Sequence, residues 1–236
     1  MNKLPIKDKS YIKQELRKQF MLSTNTELEE IFQDFKNLEL IYSSALKEVY
    51  TKLDILNNEF KHIHSRNPIE NITTRIKSPE SIIEKLLRKN LPVTIESAKK
   101  NLNDIAGVRI ICTFLDDIYQ VVDMLTSQSD LKTIKIKDYI THPKPNGYRS
   151  LHLIVQIPVF FSDRTEYVNV EVQLRTEAMD VWASIEHKLA YKGYGALDSE
   201  TIAELKSCSE QLNILDNRMH LVFKKLEATN HATQKF

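Results

Sequence analysis

Glycine is scarce in this 236-residue chain, with four residues in all and no glycine-rich run ending in Lys-Ser or Lys-Thr. The backbone cradle with which many ATPases hold phosphates is thereby excluded. Cysteine is scarcer still. Cys112 and Cys208 lie far apart in apolar patterns, which predicts two buried thiols in a reducing compartment rather than a disulfide or a zinc centre. No apolar run approaches the roughly 20 residues needed to span a bilayer, and residues 1–20 are basic and polar, without the apolar stretch of a secretory signal. A cytoplasmic location with no membrane attachment is expected. Nor is there a surplus of charge. With 33 Lys and Arg against 32 Asp and Glu, the net charge is +1, so no global field draws nucleic acid or anionic lipid, and any anion site must be a local concentration of cations.

What is present describes a water-soluble globular chain: 42% hydrophobic and 28% charged residues, enough for one α/β domain with helical additions. Residues 27–64 read as a helical region in which Leu46, Val49, Leu53, Leu56, Phe60 and Ile63 recur at steps of three and four. A second seam, Leu205, Cys208, Leu212, Leu215, Met219, Val222 and Leu226, marks a long helix over 198–229. Such seams are expected to pair with each other or with a neighbouring subunit. Between them, over 70–192, the period changes to two, predicting strands at 72–77, 107–114, 148–157 and 167–175 with helices at 79–90, 116–128 and 176–191. The core is therefore mixed α/β. Loops are expected at 141–147 and 192–196.

The strand at 167–175 is the most informative. Val168, Val170, Val172 and Leu174 make one face, and Tyr167, Asn169, Glu171, Gln173 and Arg175 the other. On a lone strand such a row would simply face water. A second strand changes the reading: Val108, Ile110, Cys112 and Phe114 are apolar, with Gly107, Arg109 and Thr113 opposite and Asp104 just before. Gly107 leaves room for close approach. Asp104 could merely close a turn. Two carboxylates delivered by two strands, Asp104 and Glu171, are also what Mg²⁺ needs when nucleotide oxygens and water complete its octahedron, and one of them could instead accept a proton.

The cations follow the same logic. Arg75 and Lys77 share a strand face, Ser78 is a candidate N-cap with Pro79 at the first helical position, and Ser81, Lys85 and Arg88 fall on one helix face opposite Ile82, Ile83, Leu86 and Leu87. A solvated basic face would look similar, but a strand end, a helix N-terminus and a basic stripe together suit a polyphosphate. Arg75 and Arg109 could also stack on a base. Lys137, Lys144, Asn146, Gly147, Tyr148, Ser150 and His152 combine lysines, a Pro-bounded loop and an aromatic ring, either a packed turn or a second nucleotide pocket. His62 and His64 should be solvated, Trp182 packed, and Glu186 and His187 supporting residues behind the site.

In order and spacing, Arg75-x-Lys77-Ser78 with Ser81, Lys85 and Arg88, then Asp104-x-x-Gly107-x-Arg109, Lys144-x-Asn146-Gly147-Tyr148-x-Ser150-x-His152 and Glu171-x-Gln173-x-Arg175 resemble the synthetase domain of the RelA/SpoT family. The likeness is greatest to the stand-alone small alarmone synthetases of the RelP type. It implies a nucleotidyltransferase-like mixed β-sheet flanked by helices, and transfer of the β,γ-pyrophosphate of ATP to the 3′-hydroxyl of GDP or GTP, giving (p)ppGpp and AMP. It further implies Asp104 and Glu171 as Mg²⁺ ligands, with Glu171 alternatively the general base, and Arg75 and Arg109 around adenine. Lys77, Ser81, Lys85 and Arg88 would hold the ATP phosphates. Tyr148 would stack on guanine, with Lys137, Lys144, Asn146, His152 and Gln173 around the acceptor. Small members are similar in being homotetramers, and regulation by RNA or (p)ppGpp is compatible with the chain. The His-Asp pair of the family's hydrolase domain does not occur, so no hydrolase activity is expected. Lys135 stands where many long members have arginine, leaving GDP against GTP open. Two other functions compete: a polymerase-type nucleotidyltransferase, for which Gly-Ser and Asp-x-Asp are missing, and a non-enzymatic RNA-binding or helical interaction module.

Overall fold

The computed structural model describes residue 14 and residues 25–64, 66–191 and 198–233. The loop expected at 192–196 lies outside them. A long first helix, α1 (Asn25–His64), leads into β1 (Ile69–Ile76), α2 (Pro79–Arg88), α3 (Ile95–Asn101), β2 (Ala106–Cys112), α4 (Leu115–Thr126), β3 (Lys132–Asp138), β4 (Leu151–Phe160), β5 (Thr165–Thr176), α5 (Glu177–Tyr191) and α6 (Ser199–Thr233). The strands form one mixed sheet in the order β1-β2-β5-β4-β3. Only the central pair, β2 and β5, is parallel.

Alternation along the strands splits the sheet into two chemically different faces. Val168, Val170, Val172 and Leu174 of β5, Val108, Ile110 and Cys112 of β2, and Leu151, Leu153 and Val155 of β4 are buried on one face. They form a single cluster with Leu46, Val49, Leu53 and Leu56 of α1, Ile82, Ile83 and Leu86 of α2, and Ile118, Val121 and Leu125 of α4. The seam of α1 from Leu46 to Leu56 thus packs on its own sheet, because the apolar sheet face needs a cover. Only its last member, Ile63, stays exposed.

Local signals fix several boundaries. Ser78 is the N-cap of α2, its hydroxyl accepting from the Ser81 amide, with Pro79 at the first position. Thr94 caps α3 in the same way. At the other end of the sheet β4 begins at Leu151 rather than at Tyr148, because Asp138 Oδ1 accepts from the amides of Ile140 and Thr141 (2.8 and 3.0 Å) and turns the chain away where the β3–β4 ladder ends.

The C-terminal helix corrects two further expectations. Its packed face carries Ser209, Asp216 and His220, all buried, together with Phe223, whose ring stacks on Phe114 at 4.1 Å. That is the expected seam rotated by one residue, about 100° round the helix. Cys208 is consequently exposed, whereas Cys112 is buried as expected. Among the described residues, no helix is long and apolar enough to cross a membrane.

Candidate active site

Residues paired directly across neighbouring strands share a face of the sheet, so register alone assembles much of the polar surface. One row runs Lys137, His152, Gln173, Arg109, Thr73 across all five strands; the next holds Ile154, Glu171, Gly107 and Arg75. The glycine is structurally pointed. A methyl group at Gly107 would meet Arg75 Nε at 3.3 Å and Arg75 Cγ at 3.4 Å, so the Arg75 side chain lies across the gap in the β2 surface.

Asp104 stands at the mouth of β2, where the Lys77 amide donates to the Ile105 carbonyl (2.8 Å) and ties the end of β1 to the same turn. Its Oδ2 receives Lys85 Nζ at 2.5 Å and Lys77 Nζ at 3.4 Å. Burial opposes ionisation of Asp104, but Lys85 and Lys77 more than offset it and hold the carboxyl below its ordinary range. Oδ1 of Asp104 is buried without a hydrogen-bond partner. Glu171 is likewise held low: burial works against it, while His152 and Gln173 favour the carboxylate and the negative charge of Asp104 opposes it. Glu171 therefore feels the charge of Asp104. An orphaned carboxylate oxygen beside a second ionised acid fits a hard divalent cation. Among the described residues no group of three or more His, Cys, Asp or Glu could hold a metal ion, so this pair would need oxygens from a bound nucleotide and water to complete a coordination shell.

On the other side of Glu171 lies a hydrogen-bonded aromatic cluster. Gln173 Nε2 donates to Glu171 Oε2 (2.9 Å), and His152 Nδ1 lies 3.4 Å from Glu171 Oε1. His152 Nε2 meets the Tyr148 hydroxyl at 2.8 Å, which also accepts from Arg175 Nη2 at 2.7 Å. Lys144 Nζ sits 4.5 Å from the centre of the Tyr148 ring and 4.8 Å from that of Tyr139. Asn146 accepts from the Tyr148 amide and donates to Glu186 Oε1, which gives Glu186 the supporting place expected of it. Trp182 is buried, its indole N–H donating to the Leu205 carbonyl (2.7 Å). The turn is pinned from behind: Gly147 has φ +93°, and Ser209 of α6 donates to its carbonyl.

Of the residues expected from the sequence, Asp104, Lys77 and Lys85 form one group and Glu171, His152, Gln173, Tyr148, Lys144 and Asn146 a second. Arg75 and Arg109 share the sheet face between them. Ser81 stays at the N-terminus of α2, bonded to Ser78, whereas Arg88 is exposed in the last turn of that helix and Lys137 is exposed on the edge strand. Lys77 lies just past the end of β1 rather than within it.

Sequence reasoning missed the anchors. Asp180 of α5 receives Arg175 Nη1 at 2.9 Å and lies 3.7 Å from Arg109 Nη1. Burial, and after it the charges of Arg175 and Arg75, work against the charge of Arg109 while Asp180 counters them, so three guanidinium groups are concentrated here. Nε of both Arg109 and Arg175 is buried and unpaired. A second missed set is the amide chain Gln156 to Asn169 (3.2 Å) to Asn103 (3.0 Å), which fastens the turn next to Asp104 to β4 and β5. Of these, only Asn169 carried a signal, as a polar residue on the face of β5 that bears Glu171.

Comparison with known proteins identifies relatives of this chain. The family model described as a region found in RelA / SpoT proteins matches residues 74–196. The chain is 47% identical over 201 residues to the GTP pyrophosphokinase YwaC of Bacillus subtilis, covering 85% of this chain and 96% of that protein. The crystal structure of small alarmone synthetase 2 from B. subtilis superposes with a TM-score of 0.74 at 46% identity, covering 81% of this chain and 99% of that one. That of small alarmone synthetase 1 bound to its product pppGpp gives 0.75 at 35% identity, covering 82% and 98%. With the family model spanning more than half of the sequence and a relative 47% identical over most of both chains, this chain belongs to the RelA/SpoT family.

Proposed function

We propose that the chain is a (p)ppGpp synthetase, transferring the β,γ-pyrophosphate of ATP to the 3′-hydroxyl of GDP or GTP and releasing AMP. One observation carries this reading: Glu171, on the polar face of the sheet, feels the charge of Asp104 at the mouth of β2, with a cationic wall on one side and an aromatic, lysine-lined pocket on the other. Such a site takes two nucleotides rather than one.

In this reading the donor lies along Arg75, Lys77, Ser81, Lys85, Arg88 and Arg109. The two arginines bracket adenine, and the lysines exchange their contact with Asp104 for phosphate oxygens. The acceptor's guanine stacks on Tyr148, with Lys137, Lys144, Asn146, His152 and Gln173 around its sugar and phosphates. Glu171 takes the proton of the 3′-hydroxyl as its oxygen bonds to the β-phosphorus; the bond between the β-phosphorus and the α,β-bridging oxygen breaks, and AMP departs. The unpaired Asp104 Oδ1 and the Glu171 carboxylate would hold Mg²⁺, which supplies electrostatic relief for charge building on the transferring phosphates. Position and charge do most of the work, as is general for transfers of this type.

Incubation with ATP, Mg²⁺ and GDP should yield AMP and ppGpp by mass; ADP would overturn the reaction, and released pyrophosphate would indicate nucleotide addition instead. Glu171→Gln should lower kcat by about 100-fold or more while both nucleotides still bind, consistent with the size of general-base contributions. Retained turnover would remove Glu171 from the mechanism. The missing His-Asp pair argues against a hydrolase in this chain. A homotetramer is supported by the apolar stripe left exposed on α6, and a cytoplasmic location by the nucleotide substrates. Regulation by RNA or (p)ppGpp would be read from rate measurements with each added.

A further inference from the structure

We propose that the Tyr148 hydroxyl fixes the tautomer of His152 and thereby the aim of Glu171, so that the ring and the hydroxyl of Tyr148 do separate jobs. This rests on reading Glu171 as the proton acceptor. The direction of the chain follows from what each group can do. A guanidinium only donates, so Arg175 Nη2, 2.7 Å away, gives a hydrogen to the Tyr148 oxygen. The hydroxyl keeps its own proton to donate, and we assign that proton to its other neighbour, His152 Nε2 at 2.8 Å. A ring nitrogen that accepts carries no hydrogen, and in a neutral imidazole the proton must sit on the other nitrogen. That nitrogen, Nδ1, faces Glu171 Oε1 at 3.4 Å. Gln173 donates to Oε2 at 2.9 Å, so both carboxylate oxygens are held by donors.

The far end of the chain is anchored as firmly. Arg175 is buried and its Nη1 is fixed by Asp180 at 2.9 Å. Tyr139 meets the His152 ring edge-on at 5.3 Å and the Tyr148 ring at 6.1 Å, which sets both planes. A run of hydrogen bonds polarised in one sense from a cation to an anion strengthens each link. His152 is on this account a positioning residue that acts through Glu171. Because guanine would occupy the face of the same tyrosine, seating the acceptor and orienting the base would use one side chain.

The test separates ring from hydroxyl. Tyr148→Phe should leave the KM for GDP within about threefold and lower kcat roughly 10- to 100-fold, the range usual for residues that orient a functional ligand from behind. Tyr148→Ala should raise KM as well. His152→Asn, which keeps a donor near the place of Nδ1, should retain more activity than His152→Ala. In the His152→Asn background Tyr148→Phe should cost little further, because the two act in series. Independently of turnover, ring ¹⁵N spectra of histidine-labelled protein, with His152 assigned by its absence in His152→Asn, should show the Nδ1–H tautomer in the parent and its loss of preference in Tyr148→Phe. An Nε2–H or doubly protonated His152 in the parent, or Tyr148→Phe with parental kcat, would overturn the proposal. Failure of the parent to form ppGpp would instead overturn the reaction assignment and leave the tautomer measurement standing.

Discussion

Two glycines on the site respond to different physics. At Gly147 the backbone has φ +93°, and an added methyl would stand 2.9 Å from Ser209 Cβ and 3.1 Å from Lys206 Cα. Both the dihedral and a neighbouring helix backbone resist it, so Gly147→Ala should cost roughly 2 kcal/mol or more and lower Tm by about 4–8 °C in a thermal melt. Gly107→Ala crowds only the flexible Arg75 side chain, the Glu171 carbonyl lying at an ordinary contact distance of 3.9 Å. Its Tm should stay near that of the parent while the KM for ATP rises, since Arg75 is displaced from its place over β2. A Gly107→Ala protein with parental ATP kinetics would separate Arg75 from the donor. Sequence spacing found Asp104, Glu171 and Tyr148 because motif and alternation mark them. It could not find Asp180, which returns to Arg175 only because the chain turns from strand into helix at Glu177.

At the scale of elements, the joint between β5 and α6 is a pH-sensitive one. Thr176 donates to Asp216 at 2.6 Å, and burial raises the Asp216 carboxyl above its ordinary value, partly countered by Thr176 and by His220. The folded state thus binds this proton more tightly than the unfolded chain does. Its contribution to stability is complete below the unfolded pKa and is lost as pH rises through the folded one. Asp216→Asn keeps an acceptor for Thr176 without burying a charge. Its Tm should exceed the parent's at neutral pH, and the difference should shrink as pH falls through the carboxylate range. A constant difference across pH would rule out the charge as its cause. Two elements were not legible in the sequence. In β3, Ile134 and Ile136 alternate with lysines over too few residues to stand out, and both are exposed on the edge of the sheet, while α3 is a single short helix with just Ser97 and Ala98 buried.

For the whole molecule, the outer side of α6 is the feature still without a cover: Leu215, Met219, Val222 and Leu226 are 49%, 49%, 58% and 60% exposed. A stripe of that kind suits contact with another copy. Met219→Glu with Val222→Glu should shift sedimentation towards the monomer with little change in the far-ultraviolet circular dichroism; an unchanged assembly would place the subunit contact elsewhere. The sequence by itself determined the period of each long element, the polar and apolar faces of β2, β4 and β5, and the residue types of the site, because these depend on local spacing and side-chain chemistry. Only the tertiary structure decided which face of α6 is packed, that α1 folds onto its own sheet, and that Arg175, Tyr148, His152 and Glu171 come into one run of polar contacts. Those outcomes depend on strand register and on helices meeting across long stretches of sequence, where a rotation of one residue changes the partner and spacing along the chain carries no record of it.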